Sequence, residues 1–144
     1  MRALLDVNFV IGLLDPDHPF HSAAHSWWAK NEKHGWASCP LTENGVVHIM
    51  SNPGYSKKVR FTPVNLIDHL QKFSSNTDHA FWPDDISLRD SEIFLSDRIH
   101  SPRQLTDLYL LALAVKHQGR LVTFDQGIPL SAIPTATTAN LCVV

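Results

Sequence analysis

Apolar residues fall along this chain in two rhythms, short β-rich runs and longer stretches at helical spacing, which predicts strands interleaved with helices. The clearest unit runs from Thr106 to Asp125. Leu108, Leu111, Ala112 and Val115 repeat as one helical face, with Thr106 placed as N-cap and Gly119 where a C-terminal cap residue is wanted. Leu110, Leu113 and Ala114 fill the other sides, so this helix is expected to be buried nearly all round. Leu121-Val-Thr-Phe124 then reads as a short interior strand of a parallel sheet. A helix rising about 1.5 Å per residue and a strand returning at about 3.3 Å per residue nearly cancel over these lengths. Asp107 and Asp125 are therefore expected on the same edge of the sheet.

The remaining chain repeats the theme. A first strand, Arg2 to Leu5, stops in Asp6, and Val7 to Leu14 continues apolar up to the turn cluster Asp15–Pro19. Phe20, Ala23, Ala24, Trp27 and Trp28 share one face of a helix ending before Gly35, and Trp36–Cys39 is a second strand closed by Pro40. Thr42 is placed to cap the next helix, with Glu43 in its first turn and Val46, Val47, Ile49 and Met50 behind; Asn52-Pro-Gly54 ends it. After the basic stretch Tyr55–Phe61, Thr62-Pro63 opens a helix whose apolar face is Val64, Ile67, Leu70 and Phe73. His79–Trp82 is a third strand, Ser87–Ile99 an amphipathic helix, and Ala139–Val144 a closing strand. No repeat or linker divides the chain, so residues 1–144 are expected to form one three-layer α/β/α sandwich with a mostly parallel sheet of about five strands.

Composition adds bounds. With 44% hydrophobic and 18% charged residues the chain is neither disordered nor membrane-spanning, and MRALLDVNF meets an acid too early for a signal peptide. A cytoplasmic protein is the expectation. Cys39 and Cys142, far apart in apolar surroundings, read as buried thiols. A net charge of −2 gives no global nucleic-acid signature, so any polyanion would have to be met by local basic residues or bound cations.

The acids carry the candidate chemistry. In an open parallel sheet, ligands bind outside the carboxyl ends of the strands. Asp6 and Asp125 end strands there; Glu43 opens a helix that follows a strand and Asp107 opens one that precedes a strand, which puts all four at one edge. Singly, Glu43 and Asp107 could be no more than favourable first-turn charges, and Asp125 a turn residue. Asp6, inside LLDVNFVIGLL, is harder to explain without a partner. Four converging carboxylates need neutralising, and hard divalent cations, Mg²⁺ or Mn²⁺, suit oxygen ligands. Asn8 and Thr123 lie near the same edge, placed to orient a carboxylate or a water.

Other clusters carry less. His18, His21 and His25 suggest zinc, but no cysteine or acid completes the set on that face. Trp27, Trp28, Trp36 and Trp82 read as core or interface rather than base-stacking residues, and Asp84-Asp85 as an exposed turn.

With these residues in view, the chain resembles the PIN-domain family, and within it the small VapC-type ribonuclease toxins of prokaryotic toxin–antitoxin pairs. The matching stretches are LLDVNFVIGLLDPDHPFHSAAHSWW, LTENGVVHIMSNPGY, QLTDLYLLALAVKHQGRLVTFDQGI and the closing strand, while residues 56–103 match least. Each is weakly specific alone; their order and spacing together are strong. The resemblance implies an Mg²⁺- or Mn²⁺-dependent endoribonuclease leaving a 5′-phosphate and a 3′-hydroxyl. It implies Asp6, Glu43 and Asp107 as core metal ligands and Asp125 as a peripheral one. Arg103 beside the site would contact RNA phosphates, and the loop residues Lys57, Lys58 and Arg60 read equally as a second phosphate contact or as a solvated loop. It also implies a small antitoxin that inserts a basic or polar segment into the crevice, and a homodimer. Two rival functions fit less well: an aspartyl phosphotransferase of the haloacid-dehalogenase type, which wants an acid where Asn8 stands, and a catalytically silent RNA- or protein-binding module.

Overall fold

A computed structural model describes the whole chain, Met1 to Val144. Five strands, β1 (Ala3–Leu5), β2 (Trp36–Ser38), β3 (His79–Phe81), β4 (Arg120–Thr123) and β5 (Leu141–Val143), form one sheet in the order β3-β2-β1-β4-β5. Every pairing is parallel, with Leu4 of β1 level with Ala37 of β2 and Leu121 of β4. The chain lays strands outward from β1 to one side and then returns to the other. The topological switch point therefore falls between β1 and β4, where a crevice opens at the carboxyl ends.

The helices are α1 (Val7–Leu14), α2 (His21–Asn31), α3 (Pro40–Ser51), α4 (Pro63–Ser75) and α5 (Leu105–Lys116). Successive residues of β1 serve opposite faces: Ala3 and Leu5 pack with Phe9, Val10, Ile11, Val46, Met50 and Leu66 beneath α1–α4, whereas Leu4 packs with Leu108, Leu111 and Leu113 of α5. Both sheet faces are covered, which is why the strand is apolar throughout. Trp36 and Trp82 are buried and Trp27 stands edge-on to Phe9 at 5.3 Å, so the tryptophans belong to the core and its margin. Cys39 is buried and Cys142 partly so, both as free thiols.

Several boundaries differ from the sequence expectation. Val7–Leu14, read only as an apolar run, is a helix because Asp6 caps it, its carboxylate accepting the Val7 N–H. Helix α3 begins at Pro40, so Thr42 is not its cap; its hydroxyl oxygen instead accepts the Cys39 N–H from the first turn. Helix α5 begins at Leu105 behind a 3₁₀ turn, leaving Thr106 inside its first turn. At its other end Gln118 takes the left-handed conformation (φ 57°) expected of Gly119. Gly119 is needed for a different reason: a Cβ there would lie 2.7 Å from the Arg2 carbonyl oxygen and 2.9 Å from the Trp82 ring. On α4 the buried stripe runs through Leu66, Leu70 and Phe73, while Val64 and Ile67 are 76% and 55% exposed.

The predicted helix over Ser87–Ile99 is absent; apart from one 3₁₀ turn at Ser96–Arg98 the segment is irregular. Ser87 Oγ accepts the Arg89 N–H and Asp90 Oδ1 the Glu92 N–H, local bonds that favour turns over a helix. Tertiary contacts decide the rest: Phe94 is buried against the α5 face and the Leu95 N–H donates to the Ala132 carbonyl.

Candidate active site

At the switch point a cleft of about 350 Å³ is lined by Asp6, Asn8, Thr123, Phe124, Asp125, Thr106 and Asp107, with Leu41, Gly45 and Ile49 of α3 as its far wall. Asp6 ends β1 and caps α1, and only 7% of it is exposed. Its Oδ1 accepts the Val7 N–H at 2.7 Å and its Oδ2 accepts the Thr123 hydroxyl at 2.8 Å. Thr123 Oγ1 in turn accepts the Asp125 N–H at 3.0 Å, so one hydroxyl ties the ends of β1 and β4 together and aims the Asp6 carboxylate. Asp125 is exposed, its Oδ1 held by the Gly127 N–H at 2.7 Å. Asp107 reaches the cleft from the first turn of α5.

Three carboxylates in one partly dry cleft resist ionising together. Burial pushes the Asp6 carboxyl above its ordinary range against the opposing pull of the Thr123 and Val7 hydrogen bonds, and the Asp125 charge adds to the rise. Asp107 is pushed up to about 7, first by desolvation and then by the Asp6 and Asp125 charges. As the side chains lie, no three carboxylate, imidazole or thiol groups converge tightly enough to enclose an ion. The donor chemistry nevertheless suits a hard cation: oxygen ligands only, with a charge surplus that a divalent ion would relieve.

Glu43, expected with the other three acids, does not line this cleft as its side chain lies. Leu41, Gly45 and Ile49 recur every four residues along α3 and form the cleft wall. Two residues on from Leu41, Glu43 points about 200° round the helix. It faces a larger groove of about 560 Å³ between α3 and α4, alongside Asn44, His48, Ile67 and Leu70. There the Ser38 hydroxyl donates to Glu43 Oε1 at 2.6 Å and stands 2.8 Å from His79 Nε2. With its proton committed to Glu43, Ser38 accepts from His79, and burial holds that imidazole below its usual pKa. The groove is larger, but it holds a single carboxylate; the clustered acids lie in the smaller cleft.

Asn8 is exposed on the cleft rim. Arg103 is exposed one turn before Asp107, in the 3₁₀ turn leading into α5. Lys57, Lys58 and Arg60 are exposed in the α3–α4 connection and do not line the cleft. The histidines have structural work: His21 Nδ1 meets the Gly12 carbonyl at 2.7 Å and His25 Nε2 the Leu13 carbonyl at 2.9 Å, capping the end of α1. The sequence reading missed Phe124 and Gly45. Phe124 could have been found from its place between Thr123 and Asp125; Gly45, where a Cβ would sit 2.8 Å from Val7 Cγ2, marks the close approach of α3 to α1.

Comparison with known proteins agrees with this architecture. The PIN domain profile matches residues 3–133. The chain belongs to the PIN-domain family. It is 46% identical over 144 residues to Ribonuclease VapC44 of Mycobacterium tuberculosis, covering all of both chains, and 42% identical over 132 residues to Ribonuclease VapC39 of the same organism, covering 92% of this chain and 94% of that one. These relatives place it among the VapC-type members. Among solved structures, VapBC2 from Rickettsia felis, bound to a promoter DNA fragment, matches with a TM-score of 0.57 at 16% identity, covering 100% of this chain and 98% of that chain, a likeness of fold. No helix is long and apolar enough to cross a membrane.

Proposed function

We propose that this PIN-domain protein is an endoribonuclease dependent on Mg²⁺ or Mn²⁺, acting as the toxin of a type II toxin–antitoxin pair. The observation that carries the reading is the Asp6–Asp107–Asp125 cleft, in which burial, and after it the Asp6 and Asp125 charges, hold Asp107 up to about 7. The names of the VapC relatives support RNA as substrate, and the VapBC2 neighbour supports an antitoxin partner. A bound divalent cation would neutralise the three carboxylates, activate a water and take up charge on the leaving oxygen of a phosphodiester.

This chain's own residues would do the remaining work. Asp6, held by Thr123 and Val7, presents a fixed oxygen pair at the floor of the cleft. Asp107 and Asp125 complete the ligand set from two other elements, and Thr123 keeps the strand ends in register. Arg103, at the mouth of α5, and the exposed Lys57, Lys58 and Arg60 supply positive charge for phosphates, offsetting a net charge of −2. An antitoxin segment carrying a basic side chain would satisfy the same carboxylates and so block the cleft, and a second copy of the chain is expected to pair with the first.

The test incubates purified protein with structured and single-stranded RNAs in Mg²⁺ or Mn²⁺, beside EDTA and Asp107→Asn controls. Cleavage lost in both controls is expected. Cleavage that survives both would overturn the mechanism, and none on any RNA would favour a silent binding module.

A further inference from the structure

We propose that Phe20 and Phe124 form a nucleobase-stacking site that seats the base next to the scissile phosphodiester; this rests on the ribonuclease reading. Phe124 lies between Thr123 and Asp125 and is itself a wall of the aspartate cleft. Its ring stacks on Phe20 at 4.6 Å and 26°, and it is braced from beneath by Phe9 at 5.1 Å and by His18 at 6.4 Å. Gly12 lies under the stack, where a Cβ would already touch Phe124 at 3.4 Å and His18 at 3.6 Å. The column begins in the core at Phe9, passes through the cleft wall and ends at Phe20, which is 49% exposed.

Position and rigidity separate this ring from ordinary surface phenylalanine. The other exposed phenylalanine, Phe81, lies on the edge strand β3 and stacks on nothing. Phe20 is fixed on Phe124, a wall of the cleft, so a base laid on it meets a preordered aromatic surface adjoining the carboxylates. A second observation links this turn to the basic loop. Tyr55 donates to Asp15 Oδ2 at 2.5 Å, tethering the loop that carries Lys57, Lys58 and Arg60 to the turn that carries Phe20. The segment that bears the basic residues is thereby anchored to the same Asp15–Phe20 turn. Stacking accepts any base, so the site favours unpaired nucleotides at the cut without selecting a sequence.

The experiment uses a single-stranded RNA oligonucleotide carrying one 2-aminopurine, and a matched oligonucleotide abasic at that position. Binding and fluorescence quenching are measured with Ca²⁺ replacing Mg²⁺, for wild type, Phe20→Ala and Phe20→Trp, with circular dichroism to check folding; cleavage is measured separately in Mg²⁺. Wild type and Phe20→Trp should quench and bind similarly. Phe20→Ala should bind on the order of tenfold more weakly, with quenching lost, and the difference should vanish on the abasic RNA. Equal binding and quenching by Phe20→Ala, or a weakening that persists on abasic RNA, overturns the stacking site. Wild-type cleavage with an unaffected Phe20→Ala sinks this inference alone, whereas base-dependent quenching without any cleavage sinks the nuclease reading and leaves the stacking site standing.

Discussion

Replacing Asp107 by Asn removes one negative charge from the cleft while keeping the shape of the side chain. In the folded protein this carboxyl is raised from 3.8 to about 7, so its ionisation works against folding. The sign follows from linkage: the favourable contribution is fully present below pH 3.8 and is lost as pH rises through about 7. A rise of that size carries about 4 kcal/mol before screening, and because the side chain is only half-buried roughly 1–2 kcal/mol should remain. For a chain of this length that is about 3–6 °C in Tm. Scanning calorimetry in EDTA at pH 8 should therefore find Asp107→Asn more stable than wild type, with the gap closing toward pH 4. Added Mg²⁺ or Mn²⁺ should raise the wild-type Tm and leave the variant nearly unchanged. An Asp107→Asn protein no more stable than wild type at pH 8, or a gap independent of pH, would refute the account of repelling carboxylates.

Glu43→Gln keeps the acceptor for Ser38 and lies outside the cleft, so its RNA cleavage should stay within about threefold of wild type, whereas Asp125→Asn should lose on the order of 100-fold; an inactive but folded Glu43→Gln would return that residue to the site. Thr123→Val leaves a buried Asp6 oxygen without its donor and should cost about 1–3 kcal/mol in urea unfolding along with most activity, with Thr123→Ser restoring both. Tyr55→Phe removes the donor to the buried Asp15 carboxylate and should lower stability by about 1–2 kcal/mol, read as a drop in Tm, without changing cleavage of a substrate too short to reach the basic loop.

The interleaving of apolar rhythms was enough to determine the layered α/β architecture, the burial of α5 on all sides, and the arrival of Asp6, Asp107 and Asp125 at one edge, because strand ends and helix starts of a parallel sheet share that edge whatever the details of packing. It could not determine helical phase. Glu43 sits in the correct turn of the correct helix, yet Gly45 is the residue that fits against Val7, and that contact turns Glu43 toward Ser38 and His79. Nor could periodicity alone distinguish an amphipathic helix at Ser87–Ile99 from a looped segment anchored by Phe94 and by the Leu95–Ala132 bond, since both pack Ile93, Phe94 and Ile99 inward and only the loop leaves Leu88 exposed. The stack from Phe9 through Phe124 to Phe20 joins residues from three separate segments; only the tertiary structure, by closing β4 against β1 and folding the Asp15–Phe20 turn back over Gly12, put an aromatic surface beside the acids.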